Sequence, residues 1–338
     1  MLVSVQALRA FAAWLVVFHH FMQVFFNFEA NNLAGHLLST RGQMGVDIFF
    51  VISGFVIYIT TANGSIKTLR FLWQRAARIV PVYWFYTVIT AGILFFASDV
   101  MPDYGLDLPS LIMGLLFIPN ENPAGFGDYP ILPVGWTLNF EMMFYLIFAL
   151  SFLLPARIRM WAVLTMIALL NLLLSRLDMI SSFYADPIIY EFLLGVGVGM
   201  LYHHGKLSPA TTRSPWVVLA LSCAALMLCF TDQSGWRLAT WGVPAALLVI
   251  AMIRLEPIFM RHHGLRRMGD QSYSVYLVHV IVLWLANALL HEHWGLPAWL
   301  TLAISVAIIA TLSWASFELL EKRLTRRLKP PHHMPRTA

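Results

Sequence analysis

LRAFAAWLVVFHHF, residues 8–21, sets one arginine and two histidines inside an apolar run that extends over 4–26. A run of that length is enough for a helix to cross a bilayer, and an ionisable group within such a helix is costly enough to suggest function. Eleven residues separate Arg9 from His20. On an α-helix that spacing amounts to about three turns plus 20° and a rise of about 16 Å. The two side chains therefore share a face but cannot touch, and they mark two depths along one cavity. His19 points about 100° away from that face.

The rest of the chain repeats the apolar pattern. Of 338 residues, 59% are hydrophobic and only 12% charged, and the mean hydropathy is +0.72, which excludes an ordinary soluble domain. Further apolar runs lie near 43–63, 80–98, 133–152, 160–176, 187–203, 215–231, 238–253, 271–290 and 297–319. These runs are too long and too uniformly apolar for barrel strands, so the expected fold is an all-α polytopic bundle of about ten transmembrane helices. Cys223 and Cys229 fall inside one run and are expected to be small apolar core residues rather than metal ligands or a disulfide. The first run has no basic stretch before it and no small-residue cleavage site, so it is expected to be retained as a span.

Loop charge supplies an orientation. Segments 64–79, 153–159, 203–214, 254–270 and 321–338 carry 18 of the 22 Lys and Arg residues; Arg41, Arg176 and Arg237 fall on the opposite side. The positive-inside rule puts both termini in the cytoplasm and loop 99–132 outside. Orientation also accounts for the net charge of +5 without invoking nucleic acid. The expected division is a membrane domain over 1–320 and a basic tail over 321–338. Loop 99–132, with Asp99, Asp103, Asp107, Glu121 and Asp128, reads either as a polar cap facing substrate or as a solvated connection.

A second polar set occurs in WTLNFEMMFY, residues 136–145. That helix enters from the outer side, so Glu141 is expected at a depth close to that of His20, where a carboxylate could orient and polarise an imidazole acting as general base. Tyr145, one turn on, serves as a donor on the same face. Asp47 caps the second span or lines a polar entrance, Glu191 begins the sixth span on the outer side, facing an external polar substrate, and His279, near the middle of the ninth, is a further candidate for the cavity. The rim from Lys67 to Arg78, with Arg75 and Arg78, suits phosphates of a nucleotide-bearing donor or anionic lipid head groups. No histidine pair or cysteine has the spacing of a metal site.

Taken in order, LRAFAAWLVVFHH, GVDIFFVISGFVI at 45–57, ARIVPVYW at 77–84, LPVGWTLNFEMMFY at 132–145, GDQSYSVYLVH at 269–279 and LLEKRLTRRL at 319–328 cover nearly all the chain. The set closely resembles the membrane acyltransferase 3 family, and within it the exopolysaccharide-production branch of bacterial glycan acyltransferases. That branch commonly has proline after the Glu-Lys pair, where this chain has Arg323. The resemblance implies a multi-pass enzyme of the bacterial inner membrane that moves an acyl group, most often acetyl, from cytoplasmic acyl-coenzyme A. The acceptor it implies is a hydroxyl of an exported carbohydrate or its lipid-linked precursor, and the enzyme works beside polysaccharide-biosynthesis machinery. No bound cofactor is implied. His20 and Glu141 are placed in the chemistry and Arg9 in donor binding. A carbohydrate or lipid-linked-sugar transporter, with the same residues lining a passage, is the competing reading; an assembly subunit of an export complex is a third.

Overall fold

The computed structural model describes residues 1–62, 67–177, 179–207, 214–228 and 237–328. Arg213, Cys229 and the last ten residues of the expected basic tail lie outside them. All regular structure among the described residues is helical. Helix α1, Val3–Phe26, starts without a side-chain cap of its own. Its free N–H groups are met from far along the chain: Val3 and Ser4 donate to the Glu256 carboxylate at 2.9 and 2.8 Å. A negative group is favoured at this positive end of the helix dipole. The short helix α2, Leu33–Arg41, folds back along α1, and His19 donates through Nδ1 to the Leu38 carbonyl at 3.0 Å.

Helices α3 (Met44–Thr61) and α4 (Thr68–Phe96) follow. α4 begins well before residue 80, where the apolar run was expected to start, so Arg75 and Arg78 belong to a helix and not to a loop. The hydropathy signal hides this turn because its cations face carboxylates inside the protein. Pro81 sits within α4 and cannot bond back to the Ala77 carbonyl. The Thr325 hydroxyl reaches that carbonyl at 3.5 Å.

Between α4 and α6 (Trp136–Ser151) the connection carries helix α5, Leu108–Leu115. Asp107 caps α5 by accepting from the Ser110 N–H at 2.7 Å, and Trp84 of α4 donates to the Leu115 carbonyl at 2.8 Å. The connection is therefore a folded cap rather than a loose loop. Then come α7 (Arg159–Leu169), α8 (Glu191–His203), α9 (Ser214–Leu228), α10 (Val243–Arg254) and α11 (Glu256–Phe259). The last are α12 (His263–Ala286), α13 (Ala298–Ser316) and α14 (Lys322–Leu328), with α13 and α14 joined by a π-helical turn. Among the described residues six helical stretches are long and apolar enough to cross a membrane: Val3–Phe26, Met44–Thr61, Thr68–Phe96, Pro133–Ser151, His263–His293 and Ala298–Leu328. Four shorter apolar helices accompany them: Arg159–Leu174, Pro187–His203, Ser214–Ala224 and Leu238–Arg254.

Burial orders the bundle. The apolar window of α12 is 78% buried and that of Ala298–Leu328 only 28%, so α12 is central and α13 peripheral. Peripheral apolar side chains such as Phe95, Phe96 and Trp299 are exposed, as a lipid-facing surface requires. Cys223 is exposed too, contrary to its expected place in the core, because α9 packs on one side only and turns this residue outward.

Small residues bring the helices together. A Cβ on Gly269 of α12 would lie 2.1 Å from the Gln6 carbonyl of α1. At the crossing of α3 and α8, a Cβ on Gly195 would lie 2.0 Å from the Val51 carbonyl. Backbones this close leave no room for a methyl group. Gly195→Ala is expected to destabilise the purified protein by about 1–3 kcal/mol, the usual scale of overpacking. Gly197→Ala in the same helix meets nothing within 4 Å and should not lower the thermal midpoint measured in parallel by intrinsic fluorescence in detergent.

Candidate active site

Five helices surround the main cavity. α1 contributes Arg9, α3 Phe49 and Ser53, α4 Arg75 and Arg78, α6 Thr137, Glu141 and Tyr145, and α12 Tyr273 and Tyr276. About 830 Å³ of atom-free space lies between them, partly open to the exterior. Arg9 is steadied by one hydrogen bond, to Gln6 Oε1 at 3.1 Å, and Gln6 in turn donates to Asp270. Arg75 donates to Thr60 Oγ1 at 3.1 Å and lies over the rings of Phe71 and Tyr145 at 5.5 and 5.8 Å. Arg78 faces Glu321 across 3.9 Å.

Each guanidinium offers five N–H donors, and these contacts engage few of them. Glu141 is the carboxylate inside the cavity, and it accepts from Ser53 Oγ at 3.0 Å and from the Tyr145 hydroxyl. Three cations against that one lining carboxylate, with Glu321 behind Arg78, leave unspent donors that suit a polyanionic ligand.

Beyond Tyr276 the chemistry changes. The Tyr276 hydroxyl is fixed by Thr137 at 2.9 Å and the Val134 carbonyl at 3.1 Å, and its ring lies 5.8 Å from that of His279. His279 is fully buried. Its Nδ1 faces the Val275 carbonyl at 3.2 Å, and its Nε2 is 3.2 Å from Nδ1 of His20. His20 Nδ1 is also 3.0 Å from the Val16 carbonyl.

Carbonyls accept only, so both Nδ1 atoms carry the proton in the neutral rings. His279 Nε2 is then the acceptor for His20 Nδ1–H. The lone pair of His20 is left on its Nε2, which no hydrogen bond among the described residues engages. A histidine held in one tautomer by a second histidine has the form of an oriented general base.

The sequence expectation paired His20 with Glu141. The hydrogen bonds pair His20 with His279 and Glu141 with Ser53 and Tyr145. Depth along a helix, which motivated the pairing, does not fix the direction in which a side chain points. Among the described residues no group of three His, Cys, Asp or Glu side chains is arranged to hold a metal ion.

Residues 2–317 match the family described as "Acyltransferase domain". The chain belongs to that family. It is 34% identical over 313 residues to Exopolysaccharide production protein ExoZ of Rhizobium meliloti (strain 1021), covering 89% of this chain and 94% of that protein. It is 28% identical to Acyltransferase MdmB of Streptomyces mycarofaciens, over 92% of this chain and 87% of that one. To Peptidoglycan O-acetyltransferase OatA of Listeria monocytogenes serovar 1/2a it is 25% identical, over 85% of this chain but half of that longer protein. No solved structure matches.

In this acyltransferase Asp47 and Glu191 line no entrance. Both are fully buried, near the starts of α3 and α8. Arg237 binds Asp47 at 2.8 Å, and Glu191 lies against Asp47, with no other donor to Asp47 Oδ2 or to the Glu191 oxygens among the described residues. The expectation of a polar mouth fails because helix packing closes over these carboxylates. Residues to which the sequence reading gave no site role include Ser53, which holds Glu141, and Glu321, which is buried and bonded to Ser274 at 3.2 Å. Glu321 opens the segment read as a basic tail, but its spacing from apolar neighbours could have marked it as an inward position. Arg237→Met should remove the counter-charge of two buried carboxylates and destabilise the acyltransferase by about 3–5 kcal/mol. Adding Asp47→Asn and Glu191→Gln should restore most of that loss in denaturant unfolding monitored by fluorescence.

Proposed function

We propose that this acyltransferase moves an acyl group, most simply acetyl, from cytoplasmic acyl-coenzyme A to a hydroxyl of an exported or lipid-linked carbohydrate. The observation that carries the reading is the succession along α1 and α12: an arginine-lined cavity, then a tautomer-fixed histidine pair. Arg9, Arg75 and Arg78 take the donor's phosphates as charge-assisted partners. The rise of about 16 Å from Arg9 to His20 is the distance an extended pantetheine arm would bridge. Glu141 balances the cations and holds the Tyr145 hydroxyl beside Arg75, at the phosphate end of the cavity.

The chemical step is a base-assisted acyl transfer. His20 Nε2 takes the proton of the sugar hydroxyl as its oxygen bonds to the thioester carbonyl carbon. The carbon–sulfur bond then breaks, and the His20 imidazolium returns the proton to the departing thiolate. The Val16 carbonyl and His279 hold the other proton on Nδ1, so Nε2 carries the lone pair before the step and again once the proton is returned. The products are the O-acyl sugar and free coenzyme A.

Ten spans with both termini cytoplasmic complete the picture, in a bacterial inner membrane. The six long spans and four shorter apolar helices support that count, and the distribution of basic loop residues supports the orientation. The bundle then makes up the membrane domain over 1–320, and the basic tail over 321–338 begins on the cytoplasmic side, its described part, α14, packed against α4. Similarity to the exopolysaccharide production protein supports a polysaccharide acceptor and a place beside polysaccharide-building enzymes.

Kinetics with labelled acetyl-coenzyme A and an envelope glycan fraction separate the roles. His20→Ala should lower kcat by about 100-fold or more. Arg9→Ala should instead raise KM for the donor by about 10- to 100-fold, as loss of a hydrogen bond to a charged group predicts. Parental kinetics in both variants would return the two residues to structural roles.

A further inference from the structure

A second hollow lies immediately beyond the histidine pair. Gln23 follows His20 by three residues on α1, about 4.5 Å further along the axis, and Trp284 follows His279 by five on α12, about 7.5 Å further. Both line an open vestibule whose rim includes Asn27, Glu29, Asn31 and Asp103. Trp284 is nearly buried and serves as its floor, while Glu29, Asn31 and Asp103 are exposed. No lysine, arginine or histidine lines it among the described residues.

The cap over this vestibule is a built structure. Asn122 is buried and its Oδ1 accepts from the Gly105 and Ala124 N–H groups at 2.9 and 3.1 Å, while its Nδ2 donates to the Tyr129 carbonyl at 3.3 Å. One amide thus fastens the chain around Asp103 to the segment that presents Phe126. The vestibule's own aromatic lining is Phe25, Phe26 and Trp284, with Phe26 41% exposed, and behind it Tyr104 stands edge-on to Trp284 at 6.3 Å and to Phe126 at 5.2 Å.

Aromatic faces with planar amide and carboxylate groups around them are the chemistry that binds saccharides. The rings cover the apolar C–H faces of the sugar, and the rim exchanges hydrogen bonds with vicinal hydroxyls. A carboxylate rim without cations repels an anionic ligand in a partly dehydrated site. We propose that this vestibule is the acceptor subsite and that it takes an uncharged, hydroxyl-rich saccharide in preference to a uronate- or phosphate-bearing one. The assignment rests on the proposed function, because it places the sugar hydroxyl on the side of His20 opposite the donor cavity.

Calorimetric titration of the full-length protein in lipid nanodiscs tests it, using cellotetraose, maltotetraose and tetragalacturonate as probes with acetyl-coenzyme A titrated in parallel. At least one neutral tetrasaccharide should bind at least tenfold more tightly than tetragalacturonate. Trp284→Ala should weaken that binding at least tenfold. Because Trp284 is nearly buried, the exposed pair Glu29→Gln with Asp103→Asn supplies an independent arm and should improve tetragalacturonate binding at least tenfold. Acetyl-coenzyme A affinity should stay at the parental value in these variants. The proposal is overturned if neither neutral probe binds, if tetragalacturonate binds as tightly as they do, or if the Glu29/Asp103 variant leaves the preference unchanged. Failure of acetyl-coenzyme A to bind the parental protein would count against the donor cavity alone.

Discussion

The close approach of α1 to α12 sets the positions of Arg9, Asp270, His20 and His279. Gly269 lets the two backbones meet at Gln6, and from that contact the helices run side by side. Arg9 and Asp270 flank the contact through Gln6, and His20 meets His279 further along. In a bilayer such polar groups have no water to turn to, so each must be answered from within the protein. Two helices that carry their polar residues on facing sides answer one another. The result is a line of polar chemistry through an apolar bundle.

The cavity is held together by compensation at a second place. Pro81 interrupts the backbone bonding of α4 just after Arg78, and α14 packs where that interruption falls, with Thr325 reaching the Ala77 carbonyl and Glu321 facing Arg78. The helical continuation after α13 is therefore a wall of the site. It also explains how three arginines are tolerated around one space: Glu141 and Glu321 offset part of their charge, and aromatic faces of Phe71 and Tyr145 receive Arg75. The residual cationic character suits phosphate, and the cavity's apolar wall, with Phe49 and Tyr276, suits an acyl chain.

Much of this was legible in the sequence, and the parts that were not share a cause. Apolar run lengths locate the helices because hydrophobicity is local information. The spacing of Arg9 and His20 gives a common face because helix periodicity is local too. Partner choice is not local. Glu141 and His20 sit on helices whose relative rotation no periodicity reports, so their expected pairing gave way to His20 with His279. Asp47 and Glu191 looked like entrance residues because they begin helices, and only packing reveals that Arg237 and the surrounding helices enclose them. Arg75 and Arg78 were assigned to a loop because charge ends a hydropathy run even when the helix continues.

The central claim is that the Val16 carbonyl and His279 together hold the proton of His20 on Nδ1 and leave Nε2 free to act as base. Nitrogen-15 spectra of the full-length protein in lipid, labelled at histidine and assigned by the signals lost in His20→Gln, report that tautomer directly. At neutral pH the account predicts a protonated Nδ1 and an unprotonated Nε2 for His20, with the Nδ1 signal shifted in His279→Phe, where one of its two acceptors is lost. A His20 ring protonated on Nε2, or an Nδ1 signal indifferent to His279, would contradict it.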